Sequence, residues 1–182
     1  MLRALLFYTI MAVVGFIYMS ADDPAGAQMR LFGDGNDVGW DTLIGAGVGL
    51  VVVALSWFGQ RFKPLQELSN ELGRVIGEPG SIAIAALACS SAIGEEILFR
   101  GAIQPGLGLW WTSAIFAFLH GGTRRSLRLS VIFAFLAGLL LGWLTEWTGN
   151  LLAPILCHVT VNYFNLHLIV GRLKETKTEV VS

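Results

Sequence analysis

The sequence predicts an all-α membrane protein, a polytopic bundle of about six transmembrane helices. Apolar residues make up 54% of the 182 residues and charged residues only 14%, whereas an average soluble domain has about 25% charged residues. The mean hydropathy is +0.66. Charge-free windows long enough to cross a bilayer recur along the whole chain. We therefore expect a single integral membrane domain over residues 1–182.

Each predicted span is an apolar window without a charged residue. A transmembrane helix needs about 20 mostly apolar residues, in a range of about 17–25. The third window reaches this length only by continuing through Glu95, Glu96 and Arg100. The fourth contains an element at residues 109–120 that is about 18 Å long, so a short or broken helix buried in protein is expected there. The six windows are 4–21, 42–60, 79–94, 101–123, 129–145 and 147–171.

The basic residues predict the orientation of the spans. Ten of the twelve fall in alternate connecting segments, whereas Arg30 lies on the other side and Arg100 lies within a span. Cytoplasmic loops carry an excess of Lys and Arg. We therefore expect cytoplasmic N- and C-termini in a multi-pass protein of the cell membrane, plasma or inner. The ten residues are Arg3, Arg61, Lys63, Arg74, Arg124, Arg125, Arg128, Arg172, Lys174 and Lys177.

The first span has a second interpretation as a cleaved secretory signal. Arg3 precedes an apolar run, and Ala25-Gly26-Ala27 resembles a cleavage site. The run is long for the apolar region of a signal, so we favour a retained span. Cleavage would leave five spans and all of the candidate site residues.

Residues 62–78, between the second and third windows, form a long stretch that looks soluble, and an amphipathic helix on the inner membrane surface is predicted there. Leu65, Leu68 and Leu72 recur at helical spacing, and Glu71 and Arg74 fall opposite them. A connector that caps the bundle is the simplest role for such a helix.

Charge and cysteine content exclude several classes of protein. The formal net charge is −1, which gives no sign of a nucleic-acid partner. Two cysteines, Cys89 and Cys157, are too few for a disulfide framework and lack the spacing of a zinc ribbon. The lipid bilayer is the expected surrounding, and the oligomeric state is left open.

Six polar residues stand inside the predicted spans, where an ionisable group is by default a candidate functional group. Glu96 and Arg100 are four positions apart, as are His158 and Asn162, so each pair shares one helix face. Glu95 points about 100° away from Glu96. Adjacent carboxylates in low dielectric do not both ionise readily. Arg100 would keep one charged, and the other would suit proton abstraction from water. The set is Glu95, Glu96, Arg100, His120, His158 and Asn162.

A buried network that only locks helices together is the alternative for Glu96 and Arg100. Likewise, a lone histidine in a span often makes only an interhelical hydrogen bond. Two carboxylates, two histidines and an asparagine on three helices exceed what packing needs. The constellation therefore favours a catalytic site.

Three motifs, in this order along the chain, resemble those of a known family. They are Glu95-Glu96-x-x-x-Arg100, Phe116-x-x-x-His120 and His158-x-x-x-Asn162. They are similar to the motifs of the CPBP family, the CAAX-prenyl-protease and bacteriocin-processing intramembrane proteases, also called the ABI family. The resemblance covers roughly residues 80–170, which would form the protease core.

This resemblance implies an intramembrane endopeptidase that cleaves a membrane-embedded or lipid-modified protein or peptide. Glu95 would be the general base for water, and His120 would share and orient that water. Glu96 and Arg100 would hold the helix and tune the charge. The resemblance also implies that His158 and Asn162 donate hydrogen bonds to the tetrahedral oxyanion.

No cofactor is expected, and a divalent metal such as zinc is the alternative, because members of the family are often labelled metalloproteases. The sequence lacks His-Glu-x-x-His, the helical pair typical of zinc proteases. Asn162 is a poor zinc ligand and a good amide donor. Cys157 adjoins His158, but neighbours on a helix diverge by about 100°, so the two are poorly placed as a nucleophile and its base.

Two other functions compete with the protease. Intramembrane Glu and His residues also mark transporters and proton relays, although these usually show internal repeats and none is found here. A non-catalytic membrane scaffold or immunity-type protein is the second alternative. Such a protein would tolerate the loss of Glu95.

We expect single cysteines at positions 125 and 177 to be protected from a membrane-impermeant reagent added outside, because both positions lie in basic, cytoplasmic segments. A cysteine at position 34 should react. Cys89 and Cys157 are first replaced, and the labelling is measured in intact cells. The reverse pattern would overturn the orientation.

Overall fold

The computed structural model describes residues 1–22, 30–33, 37–121 and 128–181, and no strand occurs among them. Three basic or acidic positions used above (Arg124, Arg125 and Asp34) and the predicted cleavage site at residues 25–27 lie outside this part of the chain. The helices are α1 (Leu2–Asp22), α2 (Val38–Gly59), α3 (Lys63–Ile76), α4 (Ser81–Glu96), the π-helical segment Ile97–Ile103, α5 (Gln104–Leu119), α6 (Arg128–Thr148) and α7 (Leu152–Val181).

Five helical runs in the described residues are long and apolar enough to cross a membrane, which confirms the predicted all-helical membrane bundle. Four of them coincide with the first, second, fifth and sixth predicted windows. The third and fourth windows are joined in one run of 39 residues. The runs are Leu2–Ala21, Val38–Gly59, Ser81–Leu119, Arg128–Thr148 and Leu152–Glu175.

The 39-residue run doubles back on itself at Gly108. The φ angle there is 76° and the ψ angle 168°, a backbone conformation that favours glycine. The rings of Phe99 and Phe116 lie 5.1 Å apart, whereas a straight helix would hold them about 25 Å apart. The run therefore has two antiparallel arms, and the second arm is the short helix that the sequence predicts.

Helix α1 packs beside α4 in the same direction. Gly94 faces the Tyr8 carbonyl so closely that an added Cβ would lie 2.5 Å from the oxygen, and Gly15 faces Leu98 in the same way. Small residues at such crossings let membrane helices approach each other.

Helices α2 and α7 also run in one direction. Gly45 packs on Ala153, and Gly49 packs on Thr160. Further along both helices, Asn165 Nδ2 donates a hydrogen bond to Ser56 Oγ at 3.3 Å. The glycines therefore bring the two backbones together over several turns.

Helix α6 lies parallel to the π-helical segment and antiparallel to α5. Gln104 Nε2 donates to the Gly142 carbonyl at 3.0 Å, while Gly138 faces Ser113 and Gly142 faces Leu109. The direction of the chain thus alternates from α1 to α2, α4, α5, α6 and α7, as the six windows predict. The orientation toward the cytoplasm stays a prediction.

Helix α3 falls on the predicted amphipathic segment. Pro64 occupies its first turn, where proline is well tolerated. Gly73 packs on Ile169 and Leu173 of α7, whereas Arg74 is exposed and pairs with Glu71 at 2.8 Å. The helix therefore rests on the C-terminal part of α7. Its place at the membrane surface stays a prediction.

Exposed tryptophans cluster at one end of the bundle, where α2 and α5 begin and α6 ends. The rings of Trp143 and Trp147 stack with centroids 5.0 Å apart. Tryptophan is enriched where membrane proteins meet the headgroup layer, so we expect these residues at one boundary of the bilayer. The exposed residues at this end are Trp40, Trp110, Trp111, Trp143 and Trp147. The sixth tryptophan, Trp57, is exposed near the other end of α2.

Arg100 of the π-helical segment is among the largest fully buried side chains. Its Nε lies 3.3 Å from Glu96 Oε2, which confirms the predicted pair. The guanidinium lies 4.5 Å from the centre of the Phe116 ring, and Nη2 donates to the Gly138 carbonyl at 3.4 Å. One side chain thus links both arms of the hairpin to α6.

We expect Arg100→Ala to destabilise the protein by about 3–5 kcal/mol, because it leaves the buried Glu96 carboxylate without its cation. Arg74→Ala is the matched control, since Arg74 also pairs with a glutamate but is exposed. The measurements are thermal unfolding midpoint and monodisperse yield in detergent micelles. Equal midpoints for the two variants would show that the Arg100 pair is incidental.

Candidate active site

The packing of α4, α5 and α7 brings the predicted site residues together. The side chains of Glu95 and His158 are 8% and 9% exposed, whereas that of His120 is 38% exposed. Glu95 and Glu96 lie at the end of α4, His120 follows α5, and His158 lies on α7. The cluster is therefore closed on the side of α4 and α7 and open beside His120.

Glu96 is the most enclosed acid of the cluster. Its Oε1 lies 2.7 Å from His158 Nδ1, and its Oε2 lies 3.3 Å from Arg100 Nε. The carboxylate thus bridges the arginine of its own helical run and the histidine of α7. This contact holds the His158 ring in one orientation.

The contacts of the two histidines define where their protons lie. His120 Nδ1 lies 2.8 Å from the Phe116 carbonyl oxygen, which can only accept, so Nδ1 donates. His158 Nδ1 donates in the same way to Glu96. Both Nε2 atoms are thereby directed to Glu95, and each lies 3.8 Å from Glu95 Oε2.

Glu95 Oε2 is buried and has no hydrogen-bond partner within the protein. A separation of 3.8 Å from each Nε2 is too long for a direct hydrogen bond. A water molecule between Glu95 Oε2 and an Nε2 atom would lie within hydrogen-bond distance of both. The geometry therefore suits a carboxylate that shares a water with an imidazole.

Phe116 forms the floor of the cluster and is 2% exposed. Its ring centroid lies 4.2 Å from that of His120 and 6.4 Å from that of His158. The sequence motif names Phe116 without a role, and the structure shows that its ring contacts both the His120 ring and the Arg100 guanidinium. In the sequence, its position one turn before His120 was the feature that could have indicated a contact with the site.

Asn162 follows His158 by one turn on α7, as the spacing predicts, and its side chain points to α4. Its Nδ2 donates a hydrogen bond to Ser91 Oγ at 3.0 Å. Ser91 lies one turn before Glu95 and is buried. Sequence reasoning missed Ser91, because a serine four positions before a glutamate is common in helices.

Cys157 lies away from this cluster despite its place next to His158. It is 1% exposed and packs with Leu141 and Leu144 in an apolar cluster. His167 contacts the ring of Tyr163 at a centroid distance of 4.8 Å. These contacts agree with structural roles for both residues.

In the zinc alternative, the metal ion would have to be held by Glu95, His120 and His158. Within the residues that the structure describes, no three His, Cys, Asp or Glu side chains are disposed to hold one metal ion. The Nδ1 atoms of both histidines are engaged by other acceptors. Their Nε2 atoms each lie 3.8 Å from Glu95 Oε2, and an Nδ1 that is held in this way is also usual for a histidine that binds a metal through Nε2.

Comparison with known proteins agrees with the motifs. The model of the type II CAAX prenyl endopeptidase Rce1-like family matches residues 78–164. The chain is 31% identical over 153 residues to the uncharacterized protein YpbD of Bacillus subtilis (strain 168), across 76% of this chain and 78% of that protein. No solved structure gives a significant match. The chain therefore belongs to the type II CAAX prenyl endopeptidase Rce1-like family.

Proposed function

We propose that this protein is an intramembrane endopeptidase that hydrolyses a peptide bond with water activated by Glu95. The main observation that supports this proposal is the position of the buried Glu95 Oε2, which lies 3.8 Å from the Nε2 atoms of His120 and His158. Membership of a CAAX endopeptidase family supports a protease. The substrate class is a membrane-embedded or lipid-modified protein or peptide.

The depth of the cluster supports cleavage within the membrane. Glu95 lies about 20 Å along the helix from the start of α4 at Ser81, which is inside a hydrocarbon core about 30 Å thick. The side chain of His120 is 38% exposed. A substrate would enter beside α5, which is the short arm of the hairpin.

Glu95 and His120 are the residues that activate the water. The water donates one proton to Glu95 and a hydrogen bond to His120 Nε2, and its oxygen attacks the carbonyl carbon of the substrate. Glu95 then passes the proton to the leaving nitrogen as the C–N bond breaks. A positioned acid–base group of this kind contributes about 10²–10⁴-fold to the rate.

His158 and Asn162 are the proposed donors to the tetrahedral oxyanion. Because His158 Nδ1 donates to Glu96, its Nε2 can donate only when the ring is an imidazolium. The proposed role of His158 therefore requires a proton on both ring nitrogens when the oxyanion forms.

We expect Glu95→Gln to abolish cleavage while preserving the folded yield, because it keeps the shape of the side chain and removes only the base. The rate is measured with a farnesylated, internally quenched CAAX peptide in micelles, and new peptide termini are sought by mass spectrometry in membranes that contain each variant. Glu67→Gln on the exposed side of α3 is the control.

Cleavage by Glu95→Gln at the wild-type rate would contradict the mechanism. If wild-type membranes gain no new termini relative to Glu95→Gln membranes, the non-catalytic scaffold alternative holds instead.

Extensive chelation should leave the wild-type enzyme active, because the proposed nucleophile is activated by Glu95 and His120 alone. Activity is measured before and after treatment with a zinc chelator, and again after zinc is added back. Loss of cleavage on chelation and its recovery with zinc would mean that Glu95, His120 and His158 are ligands of a zinc-dependent protease.

A further inference from the structure

Ser91 lies between the two helices that carry the proposed catalytic groups. It is 7% exposed and lies one helical turn before Glu95 on α4. Its Oγ accepts a hydrogen bond of 3.0 Å from Asn162 Nδ2 on α7. Asn162 itself follows His158 by one turn, so this hydrogen bond joins the two helices directly beside the cluster.

The hydrogen-bond contacts of the Ser91 hydroxyl fix which bond it donates and which it accepts. It donates its proton to the Ala88 carbonyl at 3.3 Å, so its oxygen is left as an acceptor. The Asn162 amide must therefore present its NH₂ group to α4, because its carbonyl oxygen would face another acceptor. The serine selects one of the two amide orientations that are otherwise nearly equivalent in shape.

We propose that Ser91 is a positioning residue that orients the Asn162 amide for the oxyanion. This inference rests on the proposed function. One N–H of Asn162 is held by Ser91, and the second N–H of the same NH₂ group is the one that would donate to the oxyanion. A preorganised donor needs no reorganisation when the oxyanion forms.

Ser90 offers a matched control at the neighbouring position. Its hydroxyl also donates to a backbone carbonyl, that of Leu87, at 3.3 Å. Ser91 differs in that its oxygen accepts from Asn162. Ser90→Ala and Ser91→Ala thus remove the same atom from adjacent positions of one helix, and only the second removes the proposed contact.

The test compares wild type with Ser90→Ala, Ser91→Ala, Asn162→Ala and the Ser91→Ala/Asn162→Ala double variant. The kcat and KM are measured with the farnesylated, quenched CAAX peptide in micelles, together with folded yield. We expect Asn162→Ala to lower kcat by about 10²–10³-fold. Ser91→Ala should lower kcat by about tenfold at unchanged KM, since the amide loses the hydrogen bond that orients it and is misoriented for most of the time.

The double variant should be no slower than Asn162→Ala alone, because a residue that acts only through Asn162 has nothing left to orient. Ser90→Ala should match wild type. A wild-type kcat for Ser91→Ala, or multiplicative losses in the double variant, would overturn the role of Ser91 and leave the proposed function intact. Wild-type kcat for Asn162→Ala, or no cleavage by wild type, would overturn the proposed function and this inference with it.

Discussion

The fully buried carboxylate of Glu96 is the interaction on which the rest of the structure depends. It contacts the Arg100 guanidinium on one side and the His158 imidazole on the other. A buried carboxylate without partners costs several kcal/mol, so α4, the π-helical segment and α7 are stable only when they meet around it. The same contacts orient His158, so the stability of the bundle and the geometry of the site both depend on Glu96.

Two adjacent glutamates thus have different surroundings because a helix turns by about 100° per residue. Glu96 faces a cation and an imidazole and is held in place. Each carboxylate has one oxygen without a hydrogen bond, but that of Glu96 lies 3.3 Å from Arg100 Nε, whereas that of Glu95 faces two imidazole Nε2 atoms at 3.8 Å. The proposed division of labour, in which one carboxylate is structural and the other reacts with water, follows from this difference in partners.

The chain reversal at Gly108 brings His120 and Glu95 to the same depth in the bundle. On straight helices, His120 would lie near one membrane face and Glu95 near the middle. The sharp reversal and the short second arm end α5 beside Glu95, so the two side chains meet within the bundle. The exposed aromatic residues near the reversal lie at the tryptophan-rich end of the bundle, which suits the headgroup layer.

The sequence by itself determined the helical membrane fold, because apolar windows, glycines and the spacing of charges are local properties that a bilayer reads directly. It also predicted the Glu96–Arg100 pair and the six members of the candidate site, since positions four apart share a helix face. Only the tertiary structure decided that the third and fourth windows form one reversed run, that Glu96 binds His158, and that Ser91 holds Asn162. Those facts depend on contacts between helices far apart in the chain, and helical periodicity carries no information about which faces meet.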